Sequence, residues 1–271
     1  MENLQSDHLD TQNLYRDMQK RTGGEIYIGV VGPVRTGKST FIKRFMDVAV
    51  LPYMEDAAQK TRAQDELPQS AGGRTITTTE PKFIPQEAVE LKLAGEVTIR
   101  VRLVDCVGFM VEGAAGHLEN VAERLVKTPW YDHEIPFTQA AELGTRKVIT
   151  DHSTIGVVVT TDGSFSDLPQ ETYLDAENQA ISELKKLHKP FLVLVNSSHP
   201  SSRTAREAAE RIEKQHSVAA MPVNCAQLSE EDIRQIMEQI LYEFPVSRVE
   251  FYMPKWVEML PLSHPLKTGL I

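Results

Sequence analysis

Cysteine is nearly absent from this sequence: Cys106 and Cys225 are the only two in 271 residues. Both sit in apolar, strand-like runs, which predicts buried free thiols and no disulfide. No His, Cys and Asp grouping has zinc-ligand spacing, and the eight histidines are scattered, which argues against a structural zinc site. Long apolar runs are missing too. Nothing approaches the roughly 20 residues of a membrane span, and the N-terminal stretch MENLQSDHLDTQNLYRDMQKRTGG lacks the apolar segment of a signal peptide. A cytoplasmic location without a direct membrane span is expected. Positive charge is not in excess: the net charge is −9 and the pI about 5.4, so there is no electrostatic footprint for nucleic acid or anionic lipid.

What is present suits a globular fold, with 41% hydrophobic and 25% charged residues. Residues 1–24 read as a helical lead-in marked by Leu4, Leu14 and Met18 and closed by Gly23-Gly24. EIYIGVV then reads as a buried strand, followed by a glycine-rich turn and a helical run KSTFIKRFMDVAVL that Pro52 stops. Residues 53–75 are charged and poor in aliphatics, so a mobile loop or loosely held helix is expected. VELKL, Ala94-Gly95-Glu96 and VTIRVRLVD form an antiparallel hairpin pattern. From there helices near 138–150, 169–187, 202–215 and 230–243 alternate with strands TIGVVVTT, FLVLV and AAMPV. Ser229 and Asp232 read as a capping box. The pattern is α/β: a mostly parallel sheet with one antiparallel hairpin and helices on both faces. The expected domain is 25–245, and the proline-punctuated tail 246–271 reads as the start of a following segment in a chain that continues.

The strongest chemical signal is GPVRTGKS, Gly32 to Ser39, which fits G-x-x-x-x-G-K-[ST] with a strand before it and a helix after it. Gly32 and Gly37 let the backbone curl so that N–H groups face phosphate oxygens, and the helix adds its positive end. Lys38 reaches the β and γ phosphates and the Ser39 hydroxyl is a Mg²⁺ ligand. Arg35, Thr36 and Thr40 complete the candidate nucleotide-binding stretch. A second element is RLVDCVG, where Asp105 at a strand tip can hold Mg²⁺ and Gly108 can offer its N–H to the γ-phosphate. A third is the threonine cluster Thr75, Thr77, Thr78 and Thr79, which falls where a loop must close over metal and phosphate. Spacing favours Thr78 and Thr79 without choosing between them; the candidate metal set is Ser39, Thr79 and Asp105.

The hairpin and the D-x-x-G at 105–108 look like translation-factor-related P-loop GTPases. More specifically, GVVGPVRTGKSTFIKRFM, RAQDELPQSAGGRTITTTEPKF, RLVDCVG, TPWYDHEIPF and GTRKVITDHSTIGVVVTTDG resemble the stage IV sporulation protein A family. That resemblance covers residues from about 10 to 260. It implies ATP hydrolysis that drives self-assembly into the basement layer of the spore coat, on the mother-cell side of the forespore surface. It further implies coat-protein partners and a forespore membrane-associated peptide, bound through regions beyond this chain. By the same resemblance Lys38 is the phosphate lysine, Asp105 the metal-site acid, and Thr78 and Thr79 the sensor threonines. Phe109 follows Gly108 where related GTPases commonly place a water-orienting Gln, so slow hydrolysis is expected.

FLVLVNSSHP bears on the base. The corresponding strand of such GTPases ends in Asn-Lys-x-Asp; here Asn196 stays while Ser197 and His199 replace Lys and Asp. A neutral histidine offers at most one acceptor nitrogen to guanine's paired donors. The sequence therefore favours ATP over a GTPase switch, with a nucleotide-binding scaffold of little turnover as the third reading. Arg146 and Lys147 read as surface cations before charge donors in trans. Trp130 and Tyr131 read either as a packing anchor or as an interface.

Overall fold

The computed structural model describes residues 16–68, 81–93, 97–113, 118–119, 122–165, 168–244, 261 and 264. Its centre is a six-stranded sheet in the order β10-β9-β8-β1-β3-β2. The strands are β1 (Glu25–Val31), β2 (Lys82–Leu93), β3 (Val97–Asp105), β8 (Ile155–Thr161), β9 (Phe191–Asn196) and β10 (Ala220–Val223). All neighbours pair in parallel except β2 with β3. The expected α/β architecture with one antiparallel hairpin is what the structure contains. Four short strands form two ribbons: β4 (Leu118–Glu119) with β5 (Ala122–Glu123), and β6 (Leu125–Thr128) with β7 (Tyr131–Pro136).

Period-two alternation explains why the central strands look continuously apolar. Ile28, Val30, Val157, Val159, Leu192 and Leu194 face one core. Val31, Val158, Val193 and Val195 face the other. The first core is closed by α1 (Lys38–Phe45) and α6 (Glu230–Tyr242), and the second by α3 (Phe137–Asp151), α4 (Leu174–Lys186) and α5 (Arg203–His216). With helices on both faces, every residue of β8 and β9 is buried. The helical run after the phosphate loop is α1, a π turn over Met46–Val50 and a 3₁₀ turn over Leu51–Tyr53. Met18, in a helical stretch over 16–22, is buried in the first core, while Leu4 and Leu14 lie outside the described residues.

Of segment 53–75, the described part, 53–68, takes the helical alternative. It carries α2 (Ala57–Asp65), whose N-terminus is capped by Asp56 Oδ1 accepting the Ala58 and Gln59 N–H groups at 2.8 and 3.1 Å. Only Ala63 of this helix is buried, which is why no apolar periodicity announced it. The Ser229–Asp232 capping box is present. The β6–β7 ribbon turns at Pro129-Trp130 and leaves Tyr131 41% exposed beside His133.

Both thiols are buried and free, though each lies just past a strand end and not inside one. Burial pushes the Cys106 thiol up to about 11 and the Cys225 thiol up to about 12. The folded state thus holds both protons at a pH where an unfolded thiol, near 9, has lost its own. The associated stability is complete below about pH 9 and is lost as pH rises toward 11, at roughly 1.4 kcal/mol per unit per thiol. Urea midpoints measured from pH 7 to 10.5 should fall above pH 9, and less steeply in Cys225→Ala.

Candidate nucleotide site

The phosphate loop is held from three sides. Thr36 Oγ1 donates to the Val159 carbonyl of β8 at 2.6 Å and to the Pro33 carbonyl at 3.0 Å. Phe109 donates its N–H to the Gly32 carbonyl at 3.0 Å and accepts from Val34 at 2.9 Å. Asn196 Nδ2, at the tip of β9, donates to the Thr36 carbonyl at 3.0 Å. Gly32, Arg35 and Gly37 take positive φ of 129°, 62° and 96°, which curls the loop. The first turn of α1 has no side-chain cap and no acidic residue. Its N–H groups and dipole end are therefore open to an anion.

Lys38 lies under this loop, only 5% exposed, with Nζ on the Pro33 and Gly32 carbonyls. Burial draws its pKa below the usual lysine value, against the opposing pull of Cys106 and Asp105. Across the mouth, Ser39 Oγ donates to Asp105 Oδ2 at 2.8 Å. Burial raises the Asp105 pKa, while the Ser39 hydrogen bond and Lys38 oppose the rise. Asp105 Oδ1 is buried with no hydrogen-bond partner among the described residues. A hydroxyl and a carboxylate with an unused oxygen suit a hard cation. Mg²⁺ is typically held by one or two protein oxygens, completed by phosphate and water. No group of three His, Cys, Asp or Glu side chains converges among the described residues.

The other expected residues have defined surroundings in the fold. The Thr36 side chain is buried and points to β8, so it braces the loop. Gly108 has φ 96° and abuts the Gly32 carbonyl and Lys38 Nζ, and its N–H is near enough to the Cys106 sulfur to act on the thiol. Phe109 is fully buried; its backbone is spent on the loop and its ring on the second core. Arg146 pairs with Glu183 at 3.6 Å and Lys147 with Asp151 at 3.3 Å, which accounts for both as surface cations. Thr75, Thr77, Thr78 and Thr79 lie outside the described residues.

At the β9 tip, Asn196 uses both ends of its carboxamide, since Oδ1 also accepts the Cys225 N–H at 3.0 Å. Ser197 is buried and its hydroxyl accepts the His199 N–H at 3.0 Å. His199 is exposed and lines a cavity of about 540 Å³ together with Asp162, Ser164 and Glu171, which no residue of 32–39 touches. No carboxylate stands at position 197, 198 or 199 of this tip.

Residues 9–245 match the family model described as stage IV sporulation protein A, ATPase domain. Over 259 residues, 96% of this chain, it is 49% identical to stage IV sporulation protein A of Clostridioides difficile (strain 630). The Bacillus subtilis (strain 168) protein of that name is 45% identical over the same length, and the Bacillus anthracis one 44%. The chain belongs to the stage IV sporulation protein A family. It spans about half the length of the curated relatives it matches, 53% of each. Among solved structures, SsGBP in complex with GDP aligns over 80% of this chain and 50% of its own, at 13% identity and a TM-score of 0.44. That likeness is too distant to bear on what this chain binds. Within stage IV sporulation protein A, the described geometry thus falls in the region the family model calls its ATPase domain.

Proposed function

We propose that this chain binds ATP with Mg²⁺ and hydrolyses it slowly to ADP and phosphate. In the full-length protein the cycle drives self-assembly into the basement layer of the spore coat, in the mother cell at the forespore surface. Other coat proteins and a forespore membrane-associated peptide are engaged through regions beyond this chain. The observation that carries the ATPase reading is the Ser39–Asp105 contact at 2.8 Å across the mouth of an uncapped helix N-terminus. In this reading the loop N–H groups hold phosphate oxygens, and the Lys38 ammonium exchanges its two carbonyl partners for the β and γ oxygens. Ser39 and Asp105 hold the metal, with Thr79 as the third expected ligand and Thr78 or Thr79 placing the attacking water. When bound, Mg²⁺ neutralises charge that develops on the phosphate oxygens.

The missing carboxylate at the β9 tip supports ATP over GTP. The buried Phe109, with no hydrogen-bonding side chain, supports slow turnover and keeps a nucleotide-binding scaffold as the second reading. Competition of ATP and GTP against a fluorescent ATP analogue tests the base, and tighter binding of GTP would overturn the choice. Single-turnover phosphate release across a range of protein concentrations separates the ATPase from the scaffold. Asp105→Asn should raise the Mg²⁺ concentration for half-maximal turnover by about tenfold or more, since a charge-assisted contact is worth roughly 1.5–3 kcal/mol. An unchanged Mg²⁺ requirement would remove Asp105 from the metal site.

A further inference from the structure

Phosphoryl transfer gathers negative charge on the γ-phosphate oxygens, and NTPases commonly place a second cation there besides the loop lysine. At this site Phe109 supplies only a buried ring, and Arg146 and Lys147 are paired with surface carboxylates. One further cation stands at the mouth. Lys82, the first residue of β2, lies directly opposite Asp105, the last residue of β3. The ladder fixes the side of the sheet on which both emerge. Ile84 pairs with Leu103 and both face the first core, while Phe83 and Val104, one position nearer the mouth, turn to the second. Alternation returns Lys82 and Asp105 to the side of the first core. That is the side of α1, and the Ser39–Asp105 contact shows this row ending at the first turn of the helix.

Side chains directly opposed in an antiparallel pair have Cβ atoms about 4.5–5.5 Å apart. The Lys82 ammonium is accordingly close enough for its charge to act on Asp105. It makes no hydrogen bond or ion pair among the described residues, and the side chain is exposed. Asp105 meanwhile directs one oxygen to Ser39 and buries the other. A cation held at the mouth without a partner of its own can meet an anion seated on the phosphate loop. We propose that Lys82 is a catalytic residue that contacts the γ-phosphate of ATP and offsets the charge gathering on its oxygens during hydrolysis. This rests on the ATPase reading and deepens it, since the chain then supplies in cis the second cation of the reaction. In that step the water oxygen bonds to the γ phosphorus as the bond to the β–γ bridging oxygen breaks. The electron pair of the broken bond stays on ADP, a water proton passes to the released phosphate, and Lys82 keeps its own proton throughout.

The test compares wild type, Lys82→Met and Lys82→Arg in the full 271-residue chain. Phosphate release is measured at saturating ATP and Mg²⁺. Binding of ADP is measured with and without aluminium fluoride, which mimics the phosphoryl group in transfer. Lys82→Met should lower kcat by about 10²-fold. It should weaken the aluminium fluoride complex by a similar factor and leave ADP alone within about threefold of wild type. Lys82→Arg keeps the charge and should recover most of both losses. Because the side chain is exposed, both variants should melt with the wild type. An unchanged kcat in Lys82→Met, or an equal loss of ADP with and without aluminium fluoride, would overturn the assignment. So would a raised Mg²⁺ midpoint that accounts for the whole effect, since Lys82 would then act on Asp105 alone. If the wild type releases no phosphate, the ATPase reading itself falls, a result distinct from each of these.

Discussion

Lys38→Met should leave the nucleotide-free protein within about 1 kcal/mol of wild-type stability while cutting ATP turnover by roughly 10²–10³-fold. The two halves of this result have one cause. Lys38 is a buried cation whose ammonium has, among the described residues, two backbone carbonyls and the pull of Cys106 and Asp105 to offset its lost hydration. Methionine fills the same space without that desolvation, and Asp105, already shifted upward by burial, can take a proton. With phosphates present the balance inverts, because the same ammonium is preorganised where negative charge collects. Thermal melts with and without ATP, alongside phosphate release, check both halves. At a ligand concentration of 100 Kd the wild type should gain about 2.7 kcal/mol from binding and the variant close to none. Turnover that survives the substitution would sink the proposed role of the loop.

Gly32→Ala should be the most destabilising of the small substitutions around the site, by about 3 kcal/mol or more. Two penalties combine there. Gly32 has φ 129°, a conformation L side chains rarely adopt, and a Cβ at that position would collide with the Val159 carbonyl oxygen. Val159 lies in β8, which is paired on one side to β1 and on the other to β9, so neither wall can withdraw. Gly113 provides the control: its φ is 79°, but among the described residues an added Cβ would meet only Leu168 Cδ2, at 3.5 Å. Gly113→Ala should therefore carry only the backbone term, about 1 kcal/mol. The melting temperature should fall by roughly 6–12 °C for Gly32→Ala and by 2–4 °C for Gly113→Ala. Equal shifts would mean that contact with β8 contributes nothing.

The elements that could be read from the chain were those whose physics is local. A strand buried on both faces is a contiguous apolar run, as in FLVLV, and a phosphate loop is eight consecutive residues bounded by glycines. The capping box at Ser229 and the hairpin into Asp105 have the same character. The helix over 57–65 is legible in the chain only as one of two alternatives, because it buries one alanine and so leaves no apolar stripe. The β6–β7 ribbon is not legible in the chain because only Thr128 and Ile135 of its ten strand residues are buried, too few to print an alternation.

The sequence by itself determined that this chain is an α/β protein with a phosphate loop, a carboxylate at the neighbouring strand tip and no guanine-reading carboxylate on β9. Tertiary structure alone decided what the flanking side chains do. Thr36, with the residue types of a ligand, is a brace because Val159 lies 123 positions away in sequence and 2.6 Å away in space. Asn196, the remnant of a base-reading motif, is committed to Thr36 and Cys225. A motif records the spacing that covalent geometry requires, whereas hydrogen-bond partners drawn from different strands are fixed only when the sheet assembles.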